Sequence, residues 1–324
     1  MKISRLLLAC LIAATGSAAF AAKFNLKMGH AVNTTDGQHA AAMKLAELVK
    51  QRTNGDVEIT IFPSNQLGND GAMINGVRGG TIDIVSSGAS NYNGLVANTA
   101  AMELPFVFRN AQHAYHVLDG DIGTGVLNEL APHNMKGLAY WENGWRAFTN
   151  NKRPVNKPED LKGLKIRSTP NPYHIQAFKL LGMNPSPMPI AELYTALESG
   201  AFDAQEHPIN VTWSSKFYEV QKYLTVSNHV YSPIIVAMNK AKFDSLPANY
   251  QKIMVDAARE AATYQRNLNA QNAGKVVADL KKSGMQVIEN VDMAPFQKIV
   301  SAEIAKTFGE KNGTALLNAI EATK

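Results

Sequence analysis

The sequence predicts an α/β protein of two lobes linked by one long helix. Three observations point there: strand-like and helical runs alternate over residues 24–86, the alternation resumes after Pro154, and residues 248–273 contain neither Gly nor Pro. Alternation of this kind belongs to mostly parallel sheets flanked by helices.

In the first series, residues 24–28 read as a strand and 38–52 as a helix whose Ala41, Leu45, Leu48 and Val49 share one face. A strand over 57–62, a short helix over 72–77 and a strand over 82–86 follow. The second series has strands over 164–167 and 202–205, with helices over 173–181 and 191–198 between them. Residues 230–238 read as a strand long enough to pass between lobes. The helix over 248–273 would span roughly 39 Å, longer than one small lobe is wide, and is expected to touch both. This divides the chain into residues 22–145 with about 230–250 as one lobe, and 146–229 with about 270–324 as the other.

At the N-terminus, Lys2 and Arg5, the apolar run 6–14 and Ala19-Phe20-Ala21 form the charged, apolar and A-x-A regions of a cleavable export signal, with cleavage expected after Ala21 and a periplasmic destination. The run is about half the roughly 20 residues needed to cross a bilayer, and no later segment is apolar for longer, so a soluble mature chain is expected. Cys10, the single cysteine, leaves with the signal, which leaves no disulfide and no thiolate metal site. Lys2 and Arg5 account for two of the five net positive charges. The remaining basic residues are interspersed with acidic ones, which argues against nucleic acid as a partner and leaves room for a small anion.

Motifs for catalysis are absent: there is no G-x-S-x-G elbow, Walker loop or H-E-x-x-H, and Gly76-Val77-Arg78-Gly79-Gly80 precedes a strand instead of opening a helix. His113 and His116 could share a helix face, but no third ligand accompanies them, so no metal or other cofactor is expected. Glu206-His207 could form an acid/base pair, yet no nucleophile with an orienting partner is visible.

Several stretches, in order along the chain, resemble the extracytoplasmic solute receptors of TRAP transporters. They are Phe62-Pro63-Ser64-Asn65-Gln66-Leu67-Gly68, Gly79-Gly80-Thr81-Ile82-Asp83, Glu103-Leu104-Pro105-Phe106, Pro158-Glu159-Asp160-Leu161-Lys162-Gly163-Leu164-Lys165-Ile166-Arg167, Phe202-Asp203-Ala204-Gln205-Glu206-His207-Pro208 and Phe217-Tyr218-Glu219-Val220-Gln221-Lys222-Tyr223. Residues 76–83, 140–146 and 205–211 look like those of members that take 2,3-diketo-gulonate or hexuronates. The resemblance implies the two-lobed periplasmic binding protein fold and a monomeric receptor, not an enzyme. It would close on a small carboxylated solute, a sugar acid first of all, and deliver it to the TRAP membrane permease subunits. Another organic acid, such as a keto acid or C4-dicarboxylate, a sensor-domain partner, or a periplasmic sugar-acid lyase or hydrolase are the alternatives.

The family's carboxylate-gripping arginine falls on Arg167, and a second family arginine on Arg146. A guanidinium fork matches a carboxylate with two parallel, charge-assisted hydrogen bonds. For Arg146, stacking between Trp145 and Phe148 is a structural alternative. Asn143, beside Gly144, offers a donor and an acceptor or serves a turn. Ser86, Ser87 and Ser90 follow one strand, His30 ends another and Thr169 follows Arg167, all where a sheet presents ligands. His207 and Asn210 are expected to contact a sugar acid, although family members for sialic acid or dicarboxylates commonly carry Asn where this chain has His207.

Overall fold

The computed structural model describes residues 22–324, so the expected export signal over residues 1–21 lies outside the described residues. Ten strands form one mixed sheet: β1 (Phe24–His30), β2 (Val57–Phe62), β3 (Ile84–Gly88), β4 (Met135–Asn150), β5 (Lys165–Ser168), β6 (Asn184–Pro187), β7 (Ala204–Pro208), β8 (Tyr223–Thr225), β9 (Tyr231–Asn239) and β10 (Gln286–Ile288). The main path runs β2-β1-β3-β9-β4-β7-β5-β6. Pairing is parallel within β2-β1-β3 and within β7-β5-β6, and antiparallel where β9 and β4 join these two sets.

β4 makes the join. Its first part pairs with β9 as far as Trp145↔Tyr231, and from Arg146↔Pro208 it pairs with β7. The change of partner follows a bulge at Glu142/Gly144, where Gly144 has φ +121, a conformation that side chains rarely tolerate. The strand expected to pass between the lobes, residues 230–238, instead pairs only with β3 and the first part of β4. A 16-residue strand with an internal bulge is long enough for the crossing, and Glu142-Asn143-Gly144 interrupts its apolar pattern and disguises it.

Helices flank the sheet because their apolar faces need covering. The helix Gly37–Arg52 starts on the Asp36 cap and buries Ala41, Leu45, Leu48 and Val49. The long helix runs Ala248–Lys282, past the end expected at residue 273. One interior glycine, Gly274, costs only about 1 kcal/mol relative to alanine, and Val276 and Leu280 beyond it pack with Ala147, Leu224 and Met285. Its Ala257, Ala258, Ala261 and Ala262 form a fully buried stripe, and Trp141 on β4 donates its indole N–H to the Ala258 carbonyl at 2.9 Å. Small side chains let the helix lie close to β4, while Gln265 exchanges two hydrogen bonds with the Glu142 backbone, each 2.9 Å.

Candidate functional site

The carboxyl ends of the parallel strands and the loops after them open onto one cleft of about 330 Å³. Ligands bind at this end of open α/β sheets. One wall carries Gln38, Asp70, Ser87, Ser90 and Glu103; the other carries Arg146, Arg167, Thr169, Met188 and His207, with Asn143 and Ser232 between them.

Arg167, the third residue of β5, is only 4% exposed. Its Nε donates to the Met188 carbonyl at 2.8 Å, and Nη1 meets His207 Nε2 at 3.4 Å. Among the described residues its Nη2 has no protein acceptor, and no carboxylate lies within the 4.0 Å of an ion pair. Burial, reinforced by the charge of Arg146, lowers its pKa from the usual 12.5 to about 10, so it stays a cation at neutral pH.

His207 is held by a chain of side chains. Its Nδ1 lies 2.5 Å from Gln205 Oε1, and Gln205 Nε2 donates to Thr149 Oγ1 at 2.8 Å. That places the proton on Nδ1 and leaves Nε2 to accept from Arg167. Burial, then the charges of Arg146 and Arg167, keep the imidazole well below its usual pKa and therefore neutral.

Arg146 is differently placed. Its Nε bonds Glu206 Oε2, Nη2 reaches Oε1 at 2.8 Å and the Glu206 carbonyl at 2.5 Å, and Nη1 meets Ser232 Oγ at 3.3 Å. Both partners are buried. Desolvation opposes the charges, but the pair outweighs it, raising the Arg146 pKa and holding Glu206 well below the usual carboxylate value. Two further carboxylates line the cleft. Asp70 accepts from Ser87 at 2.6 Å, and Glu103 takes the Ser90 hydroxyl on one oxygen and the Ser232 hydroxyl on the other.

One buried cation without an anion, in a cleft edged by acceptors, is the arrangement of a site for a small anion with hydroxyl groups. Residues 28–311 match the family model described as bacterial extracellular solute-binding protein, family 7. The chain belongs to that family. It is 45% identical to the 2,3-diketo-L-gulonate-binding periplasmic protein YiaO of Escherichia coli, over 96% of this chain and 95% of that one. A TRAP periplasmic solute binding protein from Polaromonas, bound to D-erythronate, superposes with a TM-score of 0.90 at 36% identity, covering 93% of this chain and 99% of that one. The sugar acid binding protein DctPAm from Advenella mimigardefordensis, in complex with galactonate, gives 0.88 at 31% identity over 94% and 100%.

In this family 7 protein the cleft brings together Arg167, Arg146, His207, Asn143, Ser87, Ser90 and Thr169 from the residues singled out in the sequence. It leaves out Ser86, His30 and Asn210. Ser86 Oγ is buried against Gln38 Nε2 at 2.9 Å, so it positions a lining residue. His30 is fully buried, its Nε2 lying 3.1 Å from His39 Nδ1. Asn210 opens onto a second cavity of about 630 Å³ beneath the long helix, on the far side of Asn143. Glu206 and His207, adjacent in sequence, turn to different partners: Glu206 is held by Arg146 and His207 faces Arg167. His113 is bonded to Arg109 N and the Ile320 carbonyl, and among the described residues no three His, Cys, Asp or Glu converge as a metal cage. Asp70, Glu103, Gln38 and Ser232 line the cleft as well, beyond the residues singled out in the sequence. Glu103 carried a signal, being a lone carboxylate in the apolar run of residues 100–108.

Proposed function

We propose that this family 7 protein is an exported TRAP receptor that holds a sugar acid, of the hexuronate, aldonate or diketogulonate kind, by its carboxylate and delivers it to the membrane permease. The observation that carries this reading is Arg167: among the described residues, a buried guanidinium with partners on Nε and Nη1 only, and no ion-pair partner. An uncompensated buried charge is costly, and a solute carboxylate at the free edge of the fork would relieve that cost with charge-assisted bonds. The D-erythronate and galactonate seen in relatives, both polyhydroxylated monocarboxylates, support a sugar acid over a keto acid or C4-dicarboxylate.

In this reading Arg146 supports the site through Glu206 and Ser232, and Arg167 grips the solute. Ser87, Ser90, Asn143 and Thr169 face its hydroxyls, and His207 orients Arg167. Residues 22–145 with 230–250, and 146–229 with 270–324, act as lobes that close because the solute binds the closed state better. The chain acts as a monomer, without cofactor and without chemical conversion of the solute. Periplasmic location rests on the expected signal and on the periplasmic relatives.

Thermal-shift screening of refolded, ligand-free protein against sugar acids, keto acids, dicarboxylates and neutral sugars tests the reading, since ligand at about 100 times its Kd adds roughly 2.7 kcal/mol. Arg167→Ala should lose about 30-fold or more in calorimetric affinity, the range for breaking a buried charge pair. Near-normal binding by that variant, a response to neutral sugars alone, or acids that come back chemically altered would each overturn it.

A further inference from the structure

If Arg167 holds the carboxylate, the rest of the cleft must recognise the remainder of the solute. Glu103 lies at the end of a short 3-10 segment, Ala97–Glu103, with its side chain buried yet lining the cleft. Its backbone carbonyl is fixed by His174 Nε2 at 2.6 Å, and its two carboxylate oxygens are aimed by the hydroxyls of Ser90 and Ser232. Ser232 also receives Arg146 Nη1, so a continuous chain runs Glu206, Arg146, Ser232, Glu103, Ser90. The positive charge of Arg146 is thereby spent between two carboxylates and offers no second anion seat.

An ionised carboxylate only accepts hydrogen bonds, at about four lone-pair sites, and the two serines occupy one on each oxygen. A solute group that approaches Glu103 must therefore bring a proton. A hydroxyl does; a second carboxylate meets like charge.

We infer that Glu103 is a specificity-determining residue that accepts a hydroxyl from the solute and turns away a second carboxylate. The inference deepens the sugar-acid reading and rests on Arg167 as the carboxylate anchor. It makes the preferred solute a polyhydroxy monocarboxylate and disfavours the dicarboxylate of the same carbon skeleton.

Galactonate and galactarate test this, because they differ only in whether the far carbon is CH2OH or a carboxylate. Calorimetry on refolded wild-type protein should show galactonate bound at least tenfold more tightly than galactarate, about the discrimination one charge-assisted hydrogen bond gives. Glu103→Gln, which keeps the shape and removes the charge, should narrow that ratio about tenfold, while Glu103→Asp should keep most of it. If Glu103→Gln does not regain a native circular dichroism spectrum, Glu103→Ala carries the same expectation. A ratio unchanged by loss of the Glu103 charge, or a wild type that prefers the diacid, overturns the assignment of Glu103 and leaves the receptor reading standing. A wild type that binds no sugar acid at all overturns the receptor reading and the assignment with it.

Discussion

Arg146 and Arg167 stand on β4 and β5 with β7 between them, and among the described residues only Arg146 finds a neutralising partner, through its two-point pairing with Glu206. The two arginines should therefore fail differently. Arg146→Met strands Glu206 in the interior and should cost the ligand-free protein about 3–5 kcal/mol in urea unfolding. Arg167→Ala removes a cation that has no anion, so ligand-free stability should stay within about 1 kcal/mol of wild type while binding collapses. Equal stability losses in the two variants would contradict the assigned division of labour.

Acid should weaken this fold early. Burial, with the charge of His39, takes His30 from 6.5 to about 4, and burial also lowers His207 and His229. Groups whose pKa is depressed on folding take up protons in the unfolded chain first, so stability is complete above about pH 6.5 and declines as pH falls toward 4. Glu206, held well below 4.5, adds its own loss at lower pH. Melting temperatures measured from pH 8 to pH 4.5 should fall below pH 6.5, less steeply in His30→Gln; a flat profile between pH 6.5 and 5 would refute the assignment of neutral buried imidazoles.

A contact outside the cleft should tune affinity. Ser214, at the end of the helix Ile209–Ser214, donates Oγ to Asp36 at 2.9 Å and accepts Asn33 Nδ2 on its carbonyl, tying the loop after β1 to the segment after β7. Ser214→Ala deletes one of these bonds and should weaken solute binding about fivefold, the worth of one net hydrogen bond, by favouring the open form. Unchanged affinity, with unchanged small-angle scattering of the ligand-free protein, would show that the contact does not bias closure.

Gly274 sits in the long helix with open space, beyond the helix's own backbone, where a Cβ would stand. Gly274→Ala should stabilise the protein by about 0.5–1 kcal/mol without changing solute affinity. A loss of affinity would mean that the helix must flex at this point during closure.

Local pattern made much of this structure legible. The apolar face of residues 38–52 and the strand at 57–62 depend on neighbours a few positions away, and both stand close to where periodicity puts them. β4 is hard to read because its bulge breaks the alternation that marks a strand, and the long helix outruns residue 273 because a tolerated glycine resembles a stop. In the site, Arg167 and His207 were readable from strand-end positions and resemblance. The pairing of Arg146 with Glu206, and the turning of Ser90 and Ser232 toward Glu103, depend on contacts 13 to 129 residues apart, which no local signal encodes.

The three tryptophans occupy unequal ground. Trp141 is sealed between β4 and the alanine stripe, whereas Trp145 and Trp213 are half-buried and border the cavity beneath the long helix, on the opposite side of Asn143 from the cleft. Any rearrangement that changes the water in that cavity alters the surroundings of two indoles and spares the third. The molecule thus carries two indoles that report on that cavity and a third, sealed one that serves as their internal reference.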